Sequence, residues 1–225
     1  MTYQKKVLIV AAHPDDEILG CGGVIARHVN NGDSVHIVFM SDGLTSRTSI
    51  DLNEVKARKQ SAKDASNILG VKNKPVFLGF SDNRMDTVAL LDIVQPLEQV
   101  INEVEPKVVY THHSGDLNID HKITHQAVMT ACRPQPGFCV REIYSFEVLS
   151  STGWSTNTPF IPNYFIDISN VLDLKILAIK AYSSELRTFP HARSIESIKV
   201  LAKYRGSSMG IRAAEVFQVE RQLVF

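Results

Sequence analysis

The chain has 225 residues, a formal net charge of zero and 44% hydrophobic residues, which is typical of a soluble globular protein with one sizeable core. The neutral charge balance excludes a global field that would attract nucleic acid or an acidic membrane surface. Three cysteines without a CxxC pair indicate neither a disulfide framework nor a cysteine-rich zinc site. The first apolar run, ending at Ala12, is too short for a signal sequence or a membrane span. We therefore expect a cytoplasmic protein without a nucleic-acid partner.

The first half of the chain alternates between strand and helix patterns. Continuous β-branched runs predict four strands, at residues 7–12, 34–40, 75–78 and 107–111. Helical periodicity predicts four helices, at residues 16–31, 52–69, 88–104 and 121–131. Pro96 falls inside the third helix, where we expect a kink or a restart. The alternation favours a Rossmann-like α/β fold, with a mostly parallel sheet flanked by helices.

After Cys132 the pattern is looser. It predicts two more strands, at 141–149 and 163–168, and two more helices, at 171–184 and 195–205. A last apolar run covers 215–219. A polar loop with one tryptophan covers 150–162. No repeat, low-complexity segment or linker divides the chain, so we expect a single domain over residues 1–225.

Ligand-forming side chains follow the first predicted strand, in the run Ala12-His13-Pro14-Asp15-Asp16-Glu17. His13 and Asp16 are three residues apart across a strand-to-helix turn, so both can point at one place, and Asp15 can approach it from another side. Imidazole and carboxylate together suit Zn²⁺ or a similar divalent ion. The alternative is an acid-rich helix start, whose carboxylates cap N–H groups and complement the helix dipole.

A second cluster follows the fourth predicted strand. The run 112–121 contains three histidines and two aspartates, and His125 lies one helical turn further on. The carboxyl ends of neighbouring parallel strands meet at one edge of a sheet, so the two clusters should face each other. Two histidines and one carboxylate would leave a coordination position open for water, as in catalytic zinc sites. The alternative is a loop of separately hydrogen-bonded histidines.

The pair of motifs, residues 12–17 and Gly115-Asp116-Leu117-Asn118-Ile119-Asp120-His121, resembles the signature of the PIG-L/LmbE-like N-acetylglucosaminyl deacetylases. The likeness extends to about Arg133 and is weaker at 78–84. The resemblance implies that His13, Asp16 and His121 hold Zn²⁺, with Fe²⁺, Mn²⁺ or Co²⁺ as alternatives, and that Asp15 is the general base. It also implies a small-molecule substrate, an N-acetylated amino sugar or sugar conjugate.

The second motif departs from several relatives at Asn118, where they carry a histidine that stabilises the reaction intermediate. Asparagine can donate a hydrogen bond but cannot carry a proton. The family also includes a subgroup with the form Gly-Asp-x-Asn-x-Asp-His, so we interpret Asn118 as a variant catalytic residue. His113 and His125 are the alternative replacements. We expect Asp120 to orient an imidazole.

Substrate-binding candidates lie on the segments after the second and third strands, and they are Asp42, Arg47, Arg58 and Arg84. Arg58 resembles a family position that orients the substrate or the acidic groups, but it also fits a surface arginine of a charged helix. Trp154 can stack on a sugar or pack at the domain edge. His191 and Arg193 precede the last helix and can close over the pocket. The sequence does not identify the exact substrate. It also leaves the oligomeric state open, with a homo-oligomer as one option.

Three other functions compete with this one. A nucleotide-binding Rossmann enzyme is disfavoured because the glycines at 20–23 lie inside a predicted helix, and the strand-to-helix turn holds acids that repel a pyrophosphate. A non-catalytic sugar-binding homologue would have no need of Asp15. A zinc amidase acting on a non-sugar N-acyl substrate stays open.

Overall fold

The computed structural model describes residues 4–44 and 52–224. In chain order, the described elements are β1 (Lys6–Ala11), α1 (Asp16–Asn30), β2 (Ser34–Ser41), α2 (Leu52–Ile68), β3 (Val76–Phe80), α3 (Leu90–Val104), β4 (Val108–His112), α4 (Ile119–Ala131), β5 (Glu142–Phe146), β6 (Tyr164–Asp167), α5 (Leu172–Ile179), α6 (Ile195–Ser207) and β7 (Ala214–Gln222). Together they form one α/β domain.

The seven strands make one sheet in the order β3-β2-β1-β4-β5-β7-β6. The first five of these are parallel, and β7 runs antiparallel to both of its neighbours. The chain leaves β1 to build β2 and β3 on one side, and later places β4 and β5 on the other side. The order therefore reverses at β1, and ligands of such sheets bind at this switch point, beyond the carboxyl ends of the strands.

Both faces of β1 are covered by helices. Val7 and Ile9 belong to the core under α1, α2, α5 and α6, whereas Leu8 and Val10 belong to the core under α3 and α4. Each of these four side chains is fully buried. Burial on both faces explains why the sequence of β1 is an uninterrupted apolar run and does not alternate between apolar and polar residues.

The six predicted strands and six predicted helices are all present, with bounds that shift by a few residues, and the last apolar run forms β7. The largest shift is in α5, which ends at Ile179 and continues as a 3-10 turn over Lys180–Tyr182. Of the kink or restart expected at Pro96, the restart does not occur, since α3 is a single helix across that proline. The break lies in α1 instead, at Cys21, which has non-helical dihedral angles. Among the described helices, none is long and apolar enough to cross a membrane.

A buried ion pair supports α1 at its break. The carboxylate of Glu215 accepts the backbone N–H groups of Gly23 (2.8 Å) and Val24 (2.7 Å). The ammonium of Lys175 donates to Glu215 (2.6 Å) and to the carbonyl of Leu19 (2.8 Å). The pair thus satisfies backbone groups that an unbroken helix would pair internally. It also ties the first turns of α1, where the candidate site begins, to α5 and β7.

We expect Lys175→Met to lower the free energy of unfolding by about 3–5 kcal/mol, because it leaves the Glu215 carboxylate buried without its cation. Urea unfolding of the metal-free protein measures this. Lys180→Met, an exposed lysine of the following turn, is the control and should change stability by less than about 0.5 kcal/mol. Equal effects of the two substitutions would contradict the supporting role of the pair.

Candidate metal centre

Three predicted ligands meet at the carboxyl ends of β1 and β4. His13 follows β1, Asp16 begins α1, and His121 lies in the first turn of α4. All three are buried, and their ligand atoms lie within 4.8 Å of one another. Asp16 Oδ2 is 3.2 Å from His13 Nδ1 and 3.2 Å from His121 Nε2. The arrangement offers two imidazole nitrogens and one carboxylate to a common point.

The donor set fits a divalent cation. Asp16 Oδ1 is buried and has no hydrogen-bond partner among the described residues, an arrangement that is costly unless another group binds there. Burial lowers the pKa of His121, but Asp16 and Asp116 outweigh it and raise that pKa to about 9. The pKa of His13 is also raised, since hydrogen bonds with three aspartates exceed the effect of burial. When no metal is bound, protonated imidazoles would thus supply the positive charge that a metal ion otherwise brings to the site.

The other ring nitrogen of each histidine faces a carboxylate. His121 Nδ1 lies 3.2 Å from Asp116 Oδ2, and the hydroxyls of Ser151 and Thr152 donate to the same oxygen. His13 Nε2 lies 3.0 Å from both Asp120 Oδ2 and Asp82 Oδ1. Such carboxylates orient metal-binding imidazoles and increase their basicity. Asp120 thus lies beside an imidazole, and the orienting role that we predicted for it stays a prediction.

The set His13, Asp82 and Asp120 also has ligand atoms close enough to hold a metal ion. Its carboxylates already accept hydrogen bonds, however. Asp120 accepts the backbone N–H groups of Asn83 (2.6 Å) and Met85 (3.1 Å). Because Asp16 keeps an oxygen without a partner in the described chain, the set that contains Asp16 is the stronger candidate for a metal site.

Asn118 caps α4. Its side-chain oxygen accepts the backbone N–H groups of Asp120 (2.8 Å) and His121 (3.4 Å), which holds the start of the helix and the ligand on it. Its amide nitrogen donates to Asn83 Oδ1 (3.2 Å). The second N–H of this amide is left to donate to a substrate, and the catalytic role that we predicted for Asn118 stays a prediction.

Asp15 lies beside the three ligands, with 1% of its surface exposed. Its φ of 125° is rare for a residue with a side chain and marks the kind of backbone strain found at functional sites. Its carboxylate oxygens accept no hydrogen bond from the described residues, although Arg193 Nη1 lies 3.3 Å away and Arg58 Nη2 lies 3.7 Å away. Burial raises the pKa of Asp15, and the two arginines oppose that rise. Burial also raises the pKa of the neighbouring Glu17 to about 8.

The predicted substrate-binding residues are scattered. Arg58 is buried, and its Nη1 contacts Glu185 Oε1 at 2.9 Å. Asp42 is half-buried and accepts the N–H of Leu44. Arg84 is exposed next to Asn83, and Arg47 lies outside the described residues.

The remaining candidates lie around the site. His113 contacts the carbonyl of Thr158 at 3.2 Å, and His125 Nε2 lies 3.5 Å from Glu220. Among the described residues, neither histidine belongs to a group whose ligand atoms lie close enough together to hold a metal ion. Trp154 is 56% exposed and His191 is exposed, so both are accessible from solvent.

Sequence reasoning missed several supporting residues. It assigned no role to Asp116, Ser151 or Thr152, which hold His121, nor to Glu185, which contacts Arg58. It gave no separate role to His112, whose Nε2 accepts the N–H of Ala12 at 2.8 Å and whose ring stacks on His121. Asp116 and His112 lie within the second cluster, the run 112–121, which was a usable signal. The others are distant in sequence and offered none.

The fold and the site define an α/β protein whose buried histidines and aspartates at the switch point can hold a metal ion. The chain matches the family model described as GlcNAc-PI de-N-acetylase (PIG-L) over residues 8–132, and it belongs to this family. It is 32% identical over 187 residues to an uncharacterized deacetylase of Escherichia coli, YaiS, covering 80% of this chain and 92% of that protein.

Two further relatives show the range of the fold. A 4-oxalmesaconate hydratase of Pseudomonas putida is 29% identical over 202 residues, covering 82% of this chain and 75% of the hydratase. The N,N'-diacetylchitobiose deacetylase of Pyrococcus horikoshii shares the fold with a TM-score of 0.78 at 22% identity, over 97% of this chain and 85% of that chain. The family thus includes deacetylases and has a hydratase among its relatives.

We expect metal affinity to rise with pH up to about pH 9. The pKa of His121 is raised to about 9, so at neutral pH a metal ion must displace its proton. Below that pKa, affinity should increase by roughly tenfold per pH unit for each proton displaced, and it should level off above it. Calorimetric titration in buffers of different ionisation enthalpy measures the protons released. Binding without proton release at pH 7 would contradict this assignment.

We expect Asp116→Asn to weaken metal binding by about ten- to hundredfold, because His121 loses the carboxylate that orients it. Competition with a chromogenic chelator gives the affinity. Asp86→Asn, at an exposed aspartate, is the control and should bind like the wild type. An unchanged affinity in Asp116→Asn would show that His121 does not need this partner.

Proposed function

We propose that this protein is a zinc-dependent hydrolase that removes the N-acetyl group of an amino sugar or sugar conjugate. One observation carries the proposal: a buried carboxylate without a hydrogen-bond partner among the described residues, that of Asp15, lies directly beside a cation-fitting set of His13, Asp16 and His121. Metal binding alone does not require Asp15, whereas hydrolysis requires a base. The family description, a de-N-acetylase of an N-acetylglucosamine compound, supports the substrate class.

The three ligands suit zinc. A set of two imidazoles and one carboxylate with a position left for water is typical of catalytic zinc sites, although Fe²⁺, Mn²⁺ or Co²⁺ can bind the same donors. When bound, the ion would supply Lewis-acid chemistry, lowering the pKa of water and polarising a carbonyl oxygen.

Asp15 is the general base in this proposal. Its carboxylate takes a proton from water as the water oxygen bonds to the acetyl carbon, and it returns that proton to the amine as the C–N bond breaks. The products are acetate and the amino sugar. Arg58 and Arg193 keep positive charge near Asp15, which favours its ionised form.

The rim of the site provides groups that suit a sugar. Asp82 and Asn83 lie beside His13 and Asp120, the exposed Arg84 follows them, and carboxylate, amide and guanidinium groups bind hydroxyls. The exposed indole of Trp154 belongs to the same turn as Thr152, which contacts Asp116. We propose that this indole stacks on a sugar face.

Asp15→Asn should retain the metal and lose activity by about 10²–10⁴-fold, because the amide cannot accept the proton. His121→Ala should lose both metal and activity, since it removes a ligand. Elemental analysis and a rate assay on the same preparations separate the two roles. Equal metal loss in both variants would contradict the division between base and ligand.

The experiment that tests the function measures zinc content together with acetate release from N-acetylglucosamine and its conjugates. About one zinc per chain with acetate released is the expected result. A non-sugar N-acyl amide and 4-oxalmesaconate should be assayed in parallel. Turnover of either compound without acetate release from any sugar would overturn the proposed substrate, and a chain that binds no metal after reconstitution would overturn the site.

A further inference from the structure

Four alternating charges form a closed ring beside the ligands, which we call the charge ring: Asp15, Arg193, Glu185 and Arg58. Asp15 Oδ2 lies 3.3 Å from Arg193 Nη1 and 3.7 Å from Arg58 Nη2. Glu185 completes the ring, with Oε2 at 3.2 Å from Arg193 Nη1 and Oε1 at 2.9 Å from Arg58 Nη1. Each acid thus contacts both bases, and each base contacts both acids.

Arg193 is the outer member of this ring. Its side chain is 28% exposed, whereas those of Arg58 and Asp15 are 4% and 1% exposed. Its Nε donates to Ser150 Oγ at 3.0 Å, so two anchors, Ser150 and Glu185, fix the guanidinium. Arg193 precedes α6 and lies outside residues 8–132, which carry the family match. A segment remote in sequence therefore reaches the group next to the ligands.

The orientation of the Asp15 carboxylate depends on these charges. The backbone of Asp15 is held, because its N–H donates to Glu17 Oε2 (2.9 Å) and its carbonyl accepts the N–H of Leu19 (2.9 Å). Its carboxylate oxygens accept no hydrogen bond within residues 4–44 and 52–224. The nearest cationic atom is Arg193 Nη1. A carboxylate so placed keeps its direction through charge contacts alone.

We propose that Arg193 is a positioning residue that, held by Glu185 and Ser150, fixes the direction of the Asp15 carboxylate for catalysis. This inference rests on the proposed role of Asp15 as the base. A simpler possibility is that Arg193 only neutralises a buried charge, and then its loss would affect stability without changing turnover. A third possibility is that it binds the substrate directly, and then its loss would mainly raise KM.

Arg193→Gln should lower kcat by about ten- to hundredfold, since a misplaced base loses alignment with the reacting water. KM should change less than threefold, and zinc content should stay the same. Arg193→Lys, which keeps the charge without the fork of donors, should recover part of kcat. Glu185→Gln should reduce kcat in the same direction. An Arg193→Gln enzyme with wild-type kcat, or with raised KM as its main change, would overturn the inference.

A double variant tests whether Arg193 acts through Asp15. In the Asp15→Asn background, Arg193→Gln should reduce the residual rate less than twofold, because the group that Arg193 orients has already lost its function. Arg205→Gln is the matched control, since Arg205 is also a partly buried arginine, paired with Glu147 at 2.7 Å, and does not contact Asp15. It should leave kcat unchanged. Full, multiplicative loss in the double variant would overturn the inference.

Thermal unfolding of the metal-free variants separates this inference from the proposed function. If the contact exists, the midpoint shifts of Asp15→Asn and Arg193→Gln should not add in the double variant, whereas those of Asp15→Asn and Arg205→Gln should add. Coupled midpoints in a protein that hydrolyses no amide would overturn the proposed function and leave the contact intact. Additive midpoints in an active enzyme would overturn the inference alone.

Discussion

The shared oxygen of Asp16 joins the two halves of the site. Asp16 Oδ2 accepts the backbone N–H of His13 at 2.9 Å and lies 3.2 Å from an imidazole nitrogen of both His13 and His121. The first histidine arrives from β1 and the second from α4, after β4. Because β1 and β4 are paired in the sheet, their carboxyl ends bring these residues together with little freedom to move apart. The contacts of Asp116 with His121 and of Asp120 with His13 add to this link through Asp16.

Burial of so many acids explains why the site requires cations. The acidic side chains that are buried at this end of the sheet are Asp15, Asp16, Glu17, Asp82, Asp116, Asp120 and Glu185. Buried carboxylates are costly unless protons, arginines or metal ions balance them. Arg58 and Arg193 lie beside the acids around Asp15, and burial raises the pKa of Glu17 to about 8. The negative charge of Asp16 would be balanced by protonated imidazoles or by a bound metal ion.

The ligands and their supports come from different parts of the chain. The ligands and the proposed base all lie within residues 13–121. The hydroxyls of Ser151 and Thr152, the pair of Lys175 and Glu215, and Arg193 come from the last third. Those later residues contact Asp116, the broken helix α1 and the carboxylate of Asp15. A family match confined to 8–132 therefore covers the ligands but omits much of what orients them.

Local patterns were enough to predict the elements, the α/β class and the ligand candidates: apolar runs buried on both faces, helical periodicity and dense His/Asp motifs at strand ends. The strand order, the antiparallel β7, the break at Cys21 and the contacts of Asp116 and Arg193 become visible only in the fold. Those features depend on residues tens of positions apart. From the sequence, a lysine or arginine is interpreted as a solvated surface charge. Lys175, Arg58 and Arg193 are different because the fold places a buried carboxylate beside each of them.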